Sequence, residues 1–196
     1  MKKFQYCLVS DRSLYDQPLR EVAMEAEKAE VDYFLLREKD LSPRQLLSLA
    51  QELRPLFHRT RMLIHGRLEV ALACNADGLH LQKDNIPVGA VRSKYRELTI
   101  GYSAHSLEEM KIAEREGADY VFISPIFQPL SKHSSAPPHG LSKLTEWTKQ
   151  MEVPVFALGG VSPQNLTELE KAGCSGAAGI SLFVQKRMFT SSGMVI

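Results

Sequence analysis

The sequence predicts an α/β fold, a single-domain (β/α)8 TIM barrel, on three observations. Eight short apolar runs punctuate the chain, amphipathic segments of helical period lie between them, and helix start and stop signals fall at the joins. Strands that read as nearly continuous apolar runs, each followed by a helix, belong to a parallel sheet covered on both faces. An open doubly wound sheet is the architectural rival. At 196 residues the chain is short for a barrel, whose usual length is about 250, so helices and loops must be spare.

The first strand is read from Tyr6 to Val9, because the apolar stretch after Lys2 and Lys3 stops at Ser10-Asp11-Arg12, too soon for a signal peptide. The second runs from Tyr33 to Leu36. The helix that follows opens at Ser42-Pro43, an N-cap before a first-turn proline, and carries Leu46, Leu47, Ala50 and Leu53 on one face. Met62 to Ile64, Gly78 to Leu81 and Thr99 to Gly101 are the next three strands. Ser106-Leu107-Glu108-Glu109 is a capping box that starts another helix, and Gly117 stops it before the sixth strand, Tyr120 to Ile123. Val155 to Leu158 is the seventh strand. Ser162-Pro163 opens the next helix, Leu166, Leu169 and Ala172 line it, and Gly173 closes it before the eighth strand, Gly176 to Ile180. Leu182 to Met188 begins a last helix that Phe189 onward does not continue. Residues 1–183 therefore read as the barrel and 184–196 as a tail or shortened helix.

With 24 Lys+Arg against 23 Asp+Glu the net charge is +1, too little basic excess for a broad nucleic-acid footprint. Cys7, Cys74 and Cys174 are odd in number and far apart, which excludes a disulfide framework and a thiolate zinc site. No apolar run approaches 20 residues, so no membrane span is expected and the chain reads as cytoplasmic.

Functional residues of such a barrel come from the C-terminal ends of its strands. After the second strand, period-2 geometry puts Arg37 and Lys39 on one face, a fork and a point charge suited to a phosphate or carboxylate. Pairing of Arg37 with Glu38 or Asp40 is the plainer alternative. Gly159-Gly160 after the seventh strand and Ser181 after the eighth fit a backbone phosphate cradle, against tight packing turns. The long loop from Ser124 to Gly140 carries Lys132, which would reach an anion. Ser103, two residues past the fifth strand, joins the candidate binding residues. His65 ends the third strand, His80 lies within the fourth, and His105 precedes a capping serine, where a local structural role suits it. No HxH or HExxH spacing marks a metal site.

These strand-end motifs, in order, resemble a known family. Leu36-Arg37-Glu38-Lys39-Asp40, Gly78-Leu79-His80-Leu81, Gly101-Tyr102-Ser103-Ala104-His105-Ser106, Pro125-Ile126-Phe127 and Ala157-Leu158-Gly159-Gly160-Val161 look like the thiamine-phosphate synthase/TenI family. The resemblance runs from the first strand to Ser181. It implies either of two activities. Synthases join a pyrimidine methyl pyrophosphate to a thiazole phosphate with Mg²⁺ held by aspartates, whereas TenI-type enzymes tautomerise a carboxythiazole phosphate without metal.

Where synthases place magnesium-binding carboxylates, this chain has Gly66 and Asn85, and Leu35 stands where they hold the pyrimidine with Gln. The resulting expectation is a cofactor-free, metal-free TenI-like thiazole tautomerase, an isomerase. Gly159, Gly160, Ser181 and Lys132 would hold the phosphate, Arg37 and Lys39 a substrate carboxylate, and His65 would carry the proton. Pro125 occupies the position where the resemblance implies the tautomerase histidine. Alternatives are a non-catalytic paralogue that binds a thiazole or thiamine phosphate, and the Mg²⁺-dependent synthase. The expected partner is a small phosphorylated thiazole, with neither nucleic acid nor membrane, and a homodimer is left open.

Overall fold

The computed structural model describes residues 3–128, 137–180, 189–190 and 193–194. Eight parallel strands, β1 (Gln5–Val9), β2 (Tyr33–Leu36), β3 (Arg61–His65), β4 (Gly78–Leu81), β5 (Thr99–Ala104), β6 (Tyr120–Ile123), β7 (Val155–Ala157) and β8 (Gly176–Gly179), pair in chain order. Gln5 to Leu8 pair with Gly176 to Gly179, which closes the barrel. The fold is a (β/α)8 barrel, and the open-sheet rival is excluded by that last pairing. Its helices include α1 (Leu19–Lys28), α2 (Pro43–Leu53), α3 (Leu68–Ala73), α4 (Val88–Arg92), α5 (Leu107–Arg115), α6 (Gly140–Thr148) and α7 (Leu166–Lys171). The shortness of α3, α4 and α7 accounts for the economy of length.

Each strand feeds two cores because alternate residues face opposite ways. Cys7, Val9, Tyr33, Leu35, Leu63, Tyr120, Phe122 and Phe156 fill the barrel interior. Their neighbours Leu8, Phe34, Leu36, Ile64, Leu79, Val121 and Ile123 face outward against the helices. Tyr33, Tyr120, Phe122 and Phe156 meet in tilted and edge-on pairs with centroids 5.5–5.8 Å apart. Each such pair adds roughly 0.5–1.5 kcal/mol to the area it buries.

Local signals set the joins. Ser42 and Gln45 form a reciprocal capping box at α2, a feature whose loss costs about 1 kcal/mol. At α5, Ser106 Oγ accepts from the Glu109 N–H while the Glu109 carboxylate accepts from the His105 N–H. The three thiols are free and buried, and burial pushes Cys174 up to about 12, so they are unreactive packing groups. Several strand ends differ from expectation by one residue, at β1, β3, β7 and β8, and the largest difference is β5, which extends to Ala104, past the expected Gly101. The expected last helix, residues 182–188, lies outside the described residues. Beyond it, Phe189–Thr190 pairs antiparallel with Gly193–Met194, so that stretch is a short two-stranded ribbon and not a continued helix.

Candidate active site

The alternation that places Leu35, Leu63, Phe122 and Phe156 inside the barrel also decides which residues crown it. Continuing each strand to its C-terminal end, the inward positions are Arg37 after β2, His65 on β3 and Ser103 on β5. All three are partly exposed at strand ends, on the face where barrels carry their chemistry.

Arg37 and Lys39 are left free by an arginine from another loop. Arg12, following β1, donates to Glu38 at 3.1 Å and grips both oxygens of Asp40. Glu38 is buried and also accepts from Ser10 Oγ at 2.6 Å and from the Arg12 N–H at 3.1 Å. Ser10 Oγ in turn accepts from the Arg37 N–H at 2.9 Å, which ties the β1 and β2 ends together. Both carboxylates next to Arg37 are therefore taken, and the plainer alternative, pairing of Arg37 with Glu38 or Asp40, does not occur. Arg37 instead lies close enough to Lys39 to depress its pKa by like-charge repulsion, with burial adding to the effect. Among the described residues neither cation has a carboxylate partner, and such a pair has the chemistry to take an anion. Lys39, His65, Gly66, Arg67 and Gln82 line a cleft of about 390 Å³ there, and Arg37, Lys39 and Arg12 line an adjoining hollow of about 810 Å³.

His65 feels the same field. Burial first, then the charges of Arg37 and Lys39, push its pKa down to about 4, and its Nδ1 is buried without a hydrogen-bond partner. It is neutral at pH 7 and a poor proton donor there. Ser103, half-buried, places its Oγ 2.8 Å from Nε2 of the wholly buried His80. His105 hydrogen-bonds the Ser124 carbonyl through Nδ1 at 2.9 Å, the local structural role its position suggested.

The donor set around Gly66 and Asn85 does not fit a divalent cation. Asn85 is turned inward, its Oδ1 accepting from the Gln82 N–H at 2.9 Å, and its amide stands 3.2 Å from where a Gly66 side chain would begin. Asp84 and Lys83 point to solvent. Among the described residues there is no group of three His, Cys, Asp or Glu side chains arranged for a metal.

Gly159 and Gly160 stand at φ +89° and +66°, and β-carbons there would fall 2.8 Å from Pro125 Cβ and 2.6 Å from the Gln128 carbonyl. Glycine is thus demanded by the close seating of the β6 loop, which bonds to the turn through Ile126 N–H to Leu158 O and Phe127 N–H to Gly159 O, both 3.0 Å. That packing role leaves an anion role open to test. Lys132 and Ser181, the other expected phosphate ligands, lie outside the described residues. Arg12, Ser10 and Tyr120 were not singled out from sequence. Their partners lie 26 or more residues away, and no local pattern marks them.

Residues 6–183 match the family described as thiamine monophosphate synthase. A thiamine-phosphate synthase of Syntrophomonas wolfei is 38% identical over 178 residues, covering 89% of this chain and 85% of that protein. One of Chloroflexus aurantiacus is 38% identical over 150 residues, covering 76% and 69%. The solved structure of thiamine phosphate pyrophosphorylase from Pyrococcus furiosus superposes with a TM-score of 0.82 at 31% identity, covering 92% of this chain and 87% of that one. These findings overturn the expected tautomerase: the relatives are named as synthases, which are transferases, and none of these carries an isomerase name. The sequence agrees, because Pro125, at the position of the tautomerase histidine, has no proton to give. His65's expected part as proton carrier, and that of Arg37 and Lys39 as carboxylate ligands, go with that reaction. No described helix is long and apolar enough to cross a membrane.

Proposed function

The chain belongs to the thiamine monophosphate synthase family, and from that premise we propose that it is a transferase of thiamine biosynthesis, joining a pyrimidine methyl pyrophosphate to a thiazole phosphate. In that reaction a bond forms from the thiazole to the methylene carbon as the methylene C–O bond breaks, and its electron pair leaves with pyrophosphate. The observation that carries the reading is the pair Arg37 and Lys39, whose neighbouring carboxylates Glu38 and Asp40 are both engaged by Arg12. A pyrophosphate gains negative charge as it departs, so cations fixed beside it stabilise the transition state more than the ground state.

Ser103 adds a hydroxyl to that anion site. Gly159 and Gly160 present the turn after β7 to the thiazole phosphate, with Lys132 and Ser181 as its further ligands. The described donors do not suit magnesium at Gly66 and Asn85: of the carboxylates lining the hollows there, Glu38 is engaged by Arg12 and Ser10, and Glu69 and Asp84 are exposed.

Incubation with the pyrimidine pyrophosphate and the thiazole phosphate, with and without added Mg²⁺, tests the reading through release of pyrophosphate and appearance of thiamine phosphate. Both products are expected, and Arg37→Ala should lower the rate at least about tenfold, as for loss of a charge-assisted contact. Binding of both substrates without any product would overturn it.

A further inference from the structure

A polar chain runs inward from the mouth through three neighbouring strands. His80 on β4 is wholly buried; its Nε2 lies 2.8 Å from Ser103 Oγ on β5 and its Nδ1 3.0 Å from the Tyr120 hydroxyl on β6. Tyr120 reaches His80 across β5 because the residue between them, in register with both, is Gly101. A β-carbon on Gly101 would fall 2.0 Å from Cζ and 2.2 Å from the hydroxyl of Tyr120, so the absence of a side chain there is the passage for the contact.

The chain has a direction. The Tyr120 hydroxyl is buried, and burial holds it protonated by raising its pKa, so it must donate. Among the described residues its one hydrogen-bond partner is His80 Nδ1, which therefore accepts. Burial also holds His80 neutral, so its single proton resides on Nε2 and is donated to Ser103 Oγ. With its oxygen already accepting from below, Ser103 keeps its own hydrogen for a partner above, at the barrel mouth.

We propose that Tyr120 and His80 are positioning residues that fix the Nε2–H tautomer and thereby make Ser103 a committed hydrogen-bond donor to an anionic phosphate oxygen at the barrel mouth. The inference rests on the reading of that mouth as a phosphorylated-substrate site. With the opposite tautomer Ser103 would spend its hydrogen on His80 and turn a lone pair toward the ligand, repelling the same oxygen.

Nitrogen NMR of the intact, histidine-labelled protein reads the tautomer without ligand, with His80→Gln assigning the signal among the six histidines. A bare Nδ1 and protonated Nε2, unchanged from pH 5 to 8, are expected. Calorimetric titration with inorganic pyrophosphate reads the consequence. Ser103→Ala should weaken binding about tenfold, and Tyr120→Phe about threefold with a mixed tautomer signal, as expected for loss of a hydrogen bond to a charged group and of its support. A protonated Nδ1 in the wild type overturns the inference whatever the ligand does. Equal pyrophosphate affinity of wild type and Ser103→Ala also overturns it while leaving the anion site standing. A wild type that shows the expected tautomer but takes up no pyrophosphate overturns the reading of the site, and Ser103's role as its donor falls too.

Discussion

Arg12 and Glu38 form an ion pair at 3.1 Å in which the carboxylate is almost completely buried and the guanidinium is partly exposed. Its effect falls on two other residues, since it removes from Arg37 and Lys39 the counter-ion their sequence neighbours would supply. Arg12→Ala should leave Glu38 buried without its cation and release Asp40. Breaking a wholly buried pair costs about 3–5 kcal/mol, and exposure of the Arg12 end reduces this to roughly 1–2 kcal/mol. Urea unfolding measures that loss. Pyrophosphate affinity should fall in the same variant although Arg12 need not touch the ligand, and an unchanged affinity would show that Asp40 does not compete for the cation pair.

Arg37→Ala should do more than weaken anion binding. Arg37 is the leading cause of the lowered Lys39 pKa and, after burial, the next cause of His65's fall to about 4. Its removal should return both toward their ordinary ranges, with His65 rising above 4 in an NMR titration. Arg37→Lys should keep the shift on His65 while losing the planar fork, separating charge from geometry.

How much of this was legible in the sequence follows from the range of each interaction. The strand of Tyr33–Leu36 and the N-cap at Ser42 are written in adjacent residues, and the structure has them at the expected positions. β5 extends past Gly101, where the sequence places its end, to include Tyr102, Ser103 and Ala104. The strand continues because Tyr102 packs outward against the helix-facing core while Ser103 faces the mouth and needs no apolar cover. The freedom of Arg37 was not decidable from spacing, since the residue that settles it, Arg12, precedes it by a whole β/α unit. Likewise His80 stood as one histidine among several until Gly101 and Tyr120 were brought beside it by the barrel's register.

Acid should destabilise the protein in a defined window. The ordinary histidine value is 6.5, and His65 lies at about 4 in the fold, with burial as the main cause. Between these values the unfolded chain binds more protons than the folded one, so unfolding free energy rises with pH from about 4 to 6.5 and levels off above. His80, shifted in the same direction, steepens the same slope. Thermal melts from pH 4 to 8 should show Tm falling below pH 6.5, and His65→Gln should flatten part of that dependence. A Tm independent of pH across the window would contradict the assigned shifts.

Gly101→Ala should be among the most damaging single methyl additions. The added carbon overlaps the Tyr120 ring, backed by Phe122 and Phe156 at centroid distances of 5.4 and 5.5 Å, so neither neighbour gives way easily. A loss of about 3 kcal/mol or more is expected, at the upper end for overpacking. Tyr120→Leu in the same chain should recover part of it, because the clash is with that ring, and a double-mutant cycle would show a coupling of about 1 kcal/mol or more. Strict additivity would mean the damage arises elsewhere.

Gly66 and Asn85 withhold two carboxylates from the mouth of the barrel. Asn85 Oδ1 accepts from the Gln82 N–H, a bond an aspartate at 85 can keep, and Gly66 at φ +67° is in a region that Asp tolerates better than most residues. Wild-type Tm should therefore be insensitive to millimolar Mg²⁺, because the neighbouring charges are Arg37 and Lys39 and the amide of Asn85 offers no charge to balance them. Gly66→Asp with Asn85→Asp should install two carboxylates across a gap of a few ångströms. Binding worth about 1 kcal/mol would raise Tm by about 2–4 °C for a chain of this length. The single Asn85→Asp change should give less, since one carboxylate beside two cations is paired before a metal arrives. A wild type that already gains as much from Mg²⁺ as the double variant would show that Asp84 turns inward to serve as ligand, and that the loss of carboxylates at 66 and 85 has been compensated from the adjacent position.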